Sequence, residues 1–510
     1  MSKKHIILLL FILLKFTLQY FAINPVYELH RDEFLHIDLG KHLALGYSSV
    51  PPVTSWFSFI IISLGNSVFW VKFFPALFGV LTIVVVWKTI EELNGKLFAL
   101  ILGSTGVLFS VLLRINTLYQ PNSFEYLIWT LVFFLLVKLF NSENNKWLYL
   151  ASITFAIGFL NKYNIIFLAL GLFPAILLTE HRRIFQNRHF YFSLLLALLI
   201  VSPNLIWQYK NDFPVLHHLK TLTENQLVNV NRFDFLREQL MFFSGVLFVI
   251  VAAFISFFRY KPFHKYRIFF WSTVFTLAVF TYLKAKGYYA IGLYPVLLAF
   301  GSVYLEKLLS KGNWKYLKPV VVLIPVVMMA VTFQYVVPVL SPETIMKKNE
   351  DFKRLGLLRW EDGKNHELPQ DFADMLGWKE LAGIVDKTFE TIDDKENTIL
   401  HCDNYGQAGA INFYSKQKYT QAVSMNADYI NWYPLNEMEI KNVIMVKEIY
   451  DDDKNREREK AFFDSVTVVG EITNQYAREK GTRIYLLKGA KISVNDILEK
   501  EIKERRNNNY

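Results

Sequence analysis

The segment 24–54 holds a dense group of reactive side chains. Glu28, Asp32, Glu33 and Asp38 lie there with His30, Arg31, His36, Lys41 and His42 interleaved. A carboxylate poised by partial burial can take a proton from a hydroxyl as a general base. Asp32 and Glu33 are adjacent, so on a helix they point about 100° apart and cannot share one task. Two readings stand. In one, one carboxylate is catalytic and the other orients a neighbour. In the other, the pair sits on a solvated amphipathic helix at a membrane surface. A low-dielectric boundary would raise the Asp32 pKa and Arg31 would lower it; the sequence leaves open which wins. His30, His36 and His42 recur every six residues, which is not a helical metal-ligand spacing. No metal is expected, and His217-His218 reads as loop surface.

A second group is cationic. Lys162 lies between two apolar runs that join almost without a loop. An ammonium there must snorkel, pair or face a wet cavity. Lys284 and Lys286, followed by Gly287, Tyr288 and Tyr289, hold a comparable place. Lysines converging near one interface would suit an anionic head group such as a phosphate. Snorkelling is the plain alternative for each alone.

These groups must be positioned by membrane elements. The chain has 510 residues, of which 53% are hydrophobic and 16% aromatic, with charge +10. That composition excludes disorder, a coiled coil and a disulfide scaffold; Cys402 has no second cysteine to pair with. The positive balance fits basic cytoplasmic loops, and no basic-aromatic motif points to nucleic acid. Apolar runs fall at 5–23, 70–90, 97–113, 123–140, 147–160, 163–178, 190–207, 240–258, 268–283, 290–309 and 319–338. About 11 spans are expected, since a crossing takes roughly 20 residues. The stretch 53–65 reads as a further span or an interfacial helix. Gln19-Tyr-Phe-Ala22 offers no small-x-small cleavage site, so the first run reads as an uncleaved anchor.

The densest cationic clusters, Arg182/Arg183/Arg188 and Arg259/Lys261/Lys265/Arg267, fall on the same side as the N-terminus. The positive-inside rule makes that side cytoplasmic. An odd number of spans then leaves residues 341–510 extracytoplasmic, together with the loops carrying Asp32, Glu125, Lys162 and Lys286. Residues 1–340 form the expected membrane domain and 341–510 a small α/β domain. Strands are expected at Thr398–His401, Asn442–Met445, Val466–Val469 and Arg483–Leu487, and a helix at Trp378–Phe389. Residues 341–370 read as a polar linker or cap, and 500–510 as a frayed tail.

Several stretches resemble one family. Arg31-Asp-Glu33, Lys41-His-Leu-Ala-Leu-Gly-Tyr47 and Pro51-Pro52 resemble the first outer loop of glycosyltransferase family 39. Gln120-Pro-Asn-Ser-Phe-Glu125 with Trp129, Asn161-Lys-Tyr163, Ser202-Pro-Asn-Leu-Ile-Trp207, and Lys286-Gly-Tyr288 with Tyr294-Pro295 follow in order. Leu368-Pro-Gln370, Gly377-Trp378 and Asn404-Tyr-Gly-Gln-Ala-Gly409 look like the soluble domain of bacterial members. That family includes protein O-mannosyltransferases and lipid A aminoarabinose transferases, of the GT-C membrane fold. Two departures stand out. Ser49 and Val50 replace an acidic residue and a histidine before Pro51-Pro52, and Asn122 replaces an aspartate after Pro121, leaving Glu125 as the carboxylate nearby.

The resemblance implies a mainly α, polytopic GT-C enzyme of the cytoplasmic (inner) membrane that moves a sugar from a polyprenyl-phosphate carrier. The acceptor would be a lipid, glycan or protein, and membrane lipids the surroundings. It implies Asp32 as the base and Glu33 as its helper. Arg31, Lys162 and Lys286 would face the lipid phosphate, with Glu125, Tyr163 and Tyr288 lining the substrate. The lipid-linked sugar is a substrate, and no cofactor is expected. The competing reading is a transporter or flippase of lipid-linked sugars with an accessory domain. It would show inverted repeats and broken helices with midplane charges, and the sequence shows neither.

Overall fold

The computed structural model describes residues 2–225, 227–417 and 421–507. The first two thirds of the chain are helical. The helices are α1 (Lys3–Phe21), α2 (Arg31–Leu39), α3 (Val53–Ser63), α4 (Val68–Glu92), α5 (Leu97–Leu108), α6 (Leu112–Ile115), α7 (Pro121–Ser142) and α8 (Lys146–Asn161). There follow α9 (Ile165–Leu177), α10 (Arg188–Lys210), α11 (Pro214–Asn225), α12 (Arg232–Phe242), α13 (Leu247–Arg259), α14 (Arg267–Tyr282), α15 (Tyr294–Leu308) and α16 (Lys318–Val336).

The protein is a multi-pass membrane protein. Among the described residues, 6 helical segments are long and apolar enough to cross a bilayer: α1, α4, α7, α10, and α15 and α16 each with its preceding turn. Counting two bent pairs as one span each gives 8: α9 with Glu180–Gln186, bent 104°, and α12 with Ser244–Arg259, bent 60°. Long helical segments are fewer than the apolar runs of the sequence, because apolar runs outlast the helices within them. The run 97–113 stops being α-helical at Phe109, and 147–160 becomes a helix of 16 residues closed by Asn161 and Lys162. At about 1.5 Å per residue such a helix spans roughly 24 Å, short of the hydrocarbon core. The stretch 53–65 is the 11-residue helix α3.

The interior of the bundle is one aromatic-rich cluster built on Trp87, Trp129, Phe133, Phe269 and Phe300. A second cluster joins the two parts of the chain. It runs from Phe34 and Ile37 on α2, through Phe74, Phe78 and Tyr119, to Trp378, Leu400 and Ile411.

Beyond α16 come α17 (Pro342–Lys347), α18 (Asn349–Arg354), α19 (Gln370–Ala373), α20 (Trp378–Glu390), β1 (Thr398–Cys402), α21 (Tyr405–Tyr414), β2 (Val423–Ser424), β3 (Asn442–Lys447), α22 (Glu457–Lys460), β4 (Phe463–Glu471), β5 (Arg483–Ala490) and α23 (Val494–Asn507). The sheet order is β2-β1-β3-β5-β4, with β1 parallel to β2 and β3 and the pairs made by β5 antiparallel. The four expected strands and the Trp378 helix are present; the two-residue β2 had no period to reveal it.

Two expectations are corrected. Segment 341–370 is packed, with Ile345, Phe352, Leu358 and Leu368 buried in the second cluster. Residues 500–507 continue α23 because Val494, Leu498 and Ile502, spaced by four, bury one face against the sheet. Residues 508–510 of the expected tail lie outside the described residues.

One buried charge fixes how α2 leaves α1. His30 caps α2: its ring accepts the Asp32 N–H, and Glu33 reaches back to the His30 N–H at 2.8 Å. The Glu33 side chain is 0% exposed and also accepts the Tyr119 N–H at 2.7 Å and the Lys72 ammonium at 2.7 Å. Removing one partner of such a pair costs about 3–5 kcal/mol, since the other charge stays buried and uncompensated. Lys72→Met should therefore lower thermal stability in detergent by about that much, and adding Glu33→Gln should recover a substantial part of it. Equal stability of Lys72→Met and wild type in unfolding scans would contradict this.

Candidate functional site

The capping geometry that turns Glu33 inward turns Asp32 the other way. Its side chain stays 37% exposed at the first turn of α2. Its Oδ1 accepts the Tyr405 hydroxyl at 2.7 Å and its Oδ2 accepts the Gln120 amide at 3.2 Å. His30 Nδ1 stands 3.9 Å away. Burial alone would raise the Asp32 pKa; the charges of His30 and Arg31 and the Tyr405 hydroxyl outweigh it and hold the carboxyl at about 2. A helix N-terminus favours the anion further. The competition left open by the sequence is thus won by the cations. Burial pushes the Tyr405 phenol up, so it remains a proton donor to Asp32.

Tyr405 comes from the C-terminal part of the chain. It opens α21, whose cap is a reciprocal Asn404–Gln407 box. The Arg31 guanidinium lies over its ring at 4.7 Å, and the Arg31 N–H donates to the Asp374 carbonyl at 3.1 Å. The approach of α21 to α2 needs Gly409: a Cβ there would lie 2.6 Å from Phe34 Cβ and 2.5 Å from the Tyr429 hydroxyl. Behind this contact, Asp38 on α2 accepts the Tyr429 hydroxyl and the Asn412 amide, each at 2.8 Å.

From Asp32 a strip of polar contacts runs to Lys162. The Gln120 carbonyl accepts the Asn122 amide at 3.0 Å, and the Asn122 carbonyl accepts the Lys162 ammonium at 2.6 Å. Lys162 also stands 3.2 Å from Glu125, whose other oxygen accepts the Asn164 amide at 2.5 Å. The Lys162 side chain is 19% exposed, and its ammonium lies over the rings of Tyr288 and Tyr289 at 5.2 and 4.7 Å. Lys162 can take this place because α8 stops at Asn161, which donates to the Pro121 carbonyl at 2.9 Å, and the chain turns extended at Lys162.

The other expected residues are distributed unevenly. Lys286 pairs with Glu361 at 2.5 Å; burial would lower its pKa, but Glu361 raises it, and Asp32 adds to that pull. Tyr163 is turned to α10, where its hydroxyl donates to Asn204 at 2.9 Å and accepts from Gln208 at 3.0 Å. Glu33 faces Lys72. The structure therefore gathers Asp32, Glu125, Lys162 and Tyr288 along one strip, sets Arg31 and Lys286 at its margins, and places Glu33 and Tyr163 in supporting bonds.

Gln120, Asn122, Asn164 and Tyr405 were not singled out as site residues. Gln120, Asn122 and Tyr405 lie in motif stretches and Asn164 directly follows one, but nothing in the sequence pairs residue 405 with residue 32. Among the described residues, no group of three or more His, Cys, Asp and Glu side chains is arranged to hold a metal. A cavity of about 240 Å³ lies apart from Asp32, lined by Glu28, Lys72, Arg114, Thr117 and Lys379 among others.

Removing the Tyr405 hydroxyl removes a bond made to the charged form of Asp32. Tyr405→Phe should therefore raise the Asp32 pKa and move the acid limb of any activity that needs the carboxylate to higher pH. A pH–rate profile identical to wild type would separate Tyr405 from Asp32.

Comparison with known proteins follows this geometry. Residues 49–207 match the family described as dolichyl-phosphate-mannose-protein mannosyltransferase. That segment contains Gln120, Asn122, Glu125 and Lys162, and it begins after Asp32. No curated protein matches the sequence at a significant level. ArnT from Cupriavidus metallidurans bound to undecaprenyl phosphate superposes with a TM-score of 0.64 at 13% identity, over 95% of this chain and 98% of its own. Its apo state gives 0.63 at 12% identity, with the same coverage. The archaeal oligosaccharyltransferase AglB from Archaeoglobus fulgidus, in complex with an inhibitory peptide and a dolichol-phosphate, gives 0.51 at 12% identity over 87% of this chain and 70% of its own. The chain thus has the GT-C glycosyltransferase fold, and within it residues 49–207 carry the pattern of the dolichyl-phosphate-mannose-protein mannosyltransferase family.

Proposed function

We propose that the protein is an integral-membrane glycosyltransferase that moves a sugar from a polyprenyl-phosphate carrier to an acceptor hydroxyl or phosphate at the outer face of the cytoplasmic membrane. Residues 1–340 form the membrane catalytic unit and 341–510 an extracytoplasmic unit that closes over Asp32. The observation that carries this reading is the strip itself: an ionised, accessible carboxylate at one end and an ammonium over two tyrosine rings at the other.

For a hydroxyl acceptor the chemistry runs as one displacement. Asp32 takes the hydroxyl proton while the oxygen attacks the anomeric carbon. The bond from that carbon to the phosphate oxygen breaks, and the polyprenyl phosphate leaves with the electron pair. The leaving group is already an anion, so it needs cations more than an acid; Lys162 supplies one, with Arg31 and Lys286 nearby. A carboxyl at about 2 is a weak base in the free protein. The donor phosphate brings negative charge to the site, which raises the carboxyl toward the range a base needs.

Asp32→Asn keeps the shape and removes the base. Transfer should fall by about 10² to 10⁴-fold while folding and polyprenyl-phosphate binding persist. A well-expressed Asp32→Asn protein with near-full transfer would remove Asp32 from the mechanism. Movement of the lipid across the bilayer with no sugar transfer by wild type would favour the flippase reading instead.

The orientation has its own test. Reporter fusions should read cytoplasmic after residue 185 and extracytoplasmic after residue 400, because the two densest basic clusters share one side. The opposite readout at either position contradicts the orientation.

A further inference from the structure

Four buried polar atoms around the strip have no hydrogen-bond partner among the described residues: Arg31 Nε, His36 Nδ1, Glu125 Oε2 and Asn164 Oδ1. Glu125 Oε2 at least faces Lys162. Folded proteins leave such atoms bare mainly where water or a ligand completes them. Of these residues, Glu125 and Asn164 are already bonded to each other through their other polar atoms and Arg31 stands near the leaving phosphate, whereas His36 has no task in the mechanism above.

His36 is 6% exposed and lies four residues after Asp32, on the same face of α2 one turn along. The charged groups that act on it are Asp32, Glu33, Lys162 and His30. The ring stands one turn from the carboxylate, on the same face of the helix. Burial pushes its pKa down to about 4, against the pull of Asp32 and Glu33, so it is neutral at physiological pH. A neutral imidazole has one N–H donor and one acceptor nitrogen. It offers no charge to a phosphate, but it can bond a hydroxyl. In a displacement with the base at Asp32 and the leaving phosphate at Lys162, the sugar ring must occupy the space between them.

We propose that His36 is a sugar-contacting residue of this same site, hydrogen-bonded to a hydroxyl of the transferred sugar, so that the donor is recognised by its sugar as well as by its lipid phosphate. The inference rests on the glycosyltransferase reading. It adds a selection among donors that a phosphate site alone does not make.

The test compares two probes, undecaprenyl phosphate and mannosyl-phosphoryl-undecaprenol, on the full-length protein in lipid nanodiscs. Wild type should bind the mannosyl lipid more tightly than the bare one. His36→Phe should weaken the mannosyl lipid by about tenfold, the worth of one hydrogen bond left unmade in a buried site, and leave undecaprenyl phosphate within about twofold. His36→Asn, which keeps a donor and an acceptor near Nδ1, should retain most of the preference. Unchanged affinities in His36→Phe, equal losses for both lipids, or a wild type blind to the sugar would overturn the proposal. If His36→Phe does not fold, monodeoxy mannosyl lipids on wild type decide: one must lose the advantage over the bare lipid, and a series with no loss overturns it. Failure of wild type to bind either lipid would overturn the glycosyltransferase reading along with it.

Discussion

Glu33 is a single buried carboxylate that three parts of the chain need at once. It accepts the His30 N–H at the start of α2, the Tyr119 N–H before α7 and the Lys72 ammonium on α4. A charge in that position is tolerable only because every lone pair has a donor. The consequence reaches beyond stability. With Glu33 fixed inward at the third position of α2, the helix period turns Asp32 about 100° away from it. Asp32 then meets Tyr405 and Gln120 at an accessible edge. The adjacent pair of acids is divided by helix geometry: one is held in the core and the other stays at the edge with Tyr405 and Gln120.

The same constraint makes the two parts of the chain interdependent. α2 presents Phe34 to Trp378 and Tyr414, and Asp38 to Tyr429 and Asn412, while Asp32 receives Tyr405. The sheet-containing part is therefore one wall of the site. Its Glu361 also meets Lys286, and its Asp374 lies 3.7 Å from His30. Charges that would be costly at a membrane boundary are each met by an opposite charge or a hydrogen bond from another element. Such a site exists only when all the elements are assembled.

Much of the fold was legible because burial on this scale leaves a periodic record. The long apolar runs, the four longer strands and the Trp378 helix follow from their own residues. Asp32 and Lys162 stood out because ionisable groups beside apolar runs need a reason. The ends of the helices were less legible: hydropathy averages over the break at Phe109 and over the end of α8 at Asn161. The role of Glu33 was half legible. Its spacing from Asp32 excluded a shared task, but Lys72 lies 39 residues away and no local pattern selects it. Tyr405, Asn122 and His36 were hidden for the same reason. Their importance comes from partners distant in sequence, or, for His36, from an Nδ1 with no partner among the described residues.

The central claim is that Asp32 and Lys162 bracket the place where the carrier phosphate and its sugar lie. A structure of the protein with undecaprenyl phosphate tests this most directly. The account predicts the phosphate within hydrogen-bonding distance of Lys162 Nζ, over Tyr288 and Tyr289, with the Asp32 carboxylate facing it across a gap wide enough for a sugar ring. A phosphate seated elsewhere, for instance in the cavity lined by Arg114 and Lys379, with Lys162 still bonded only to Asn122 and Glu125, would contradict it.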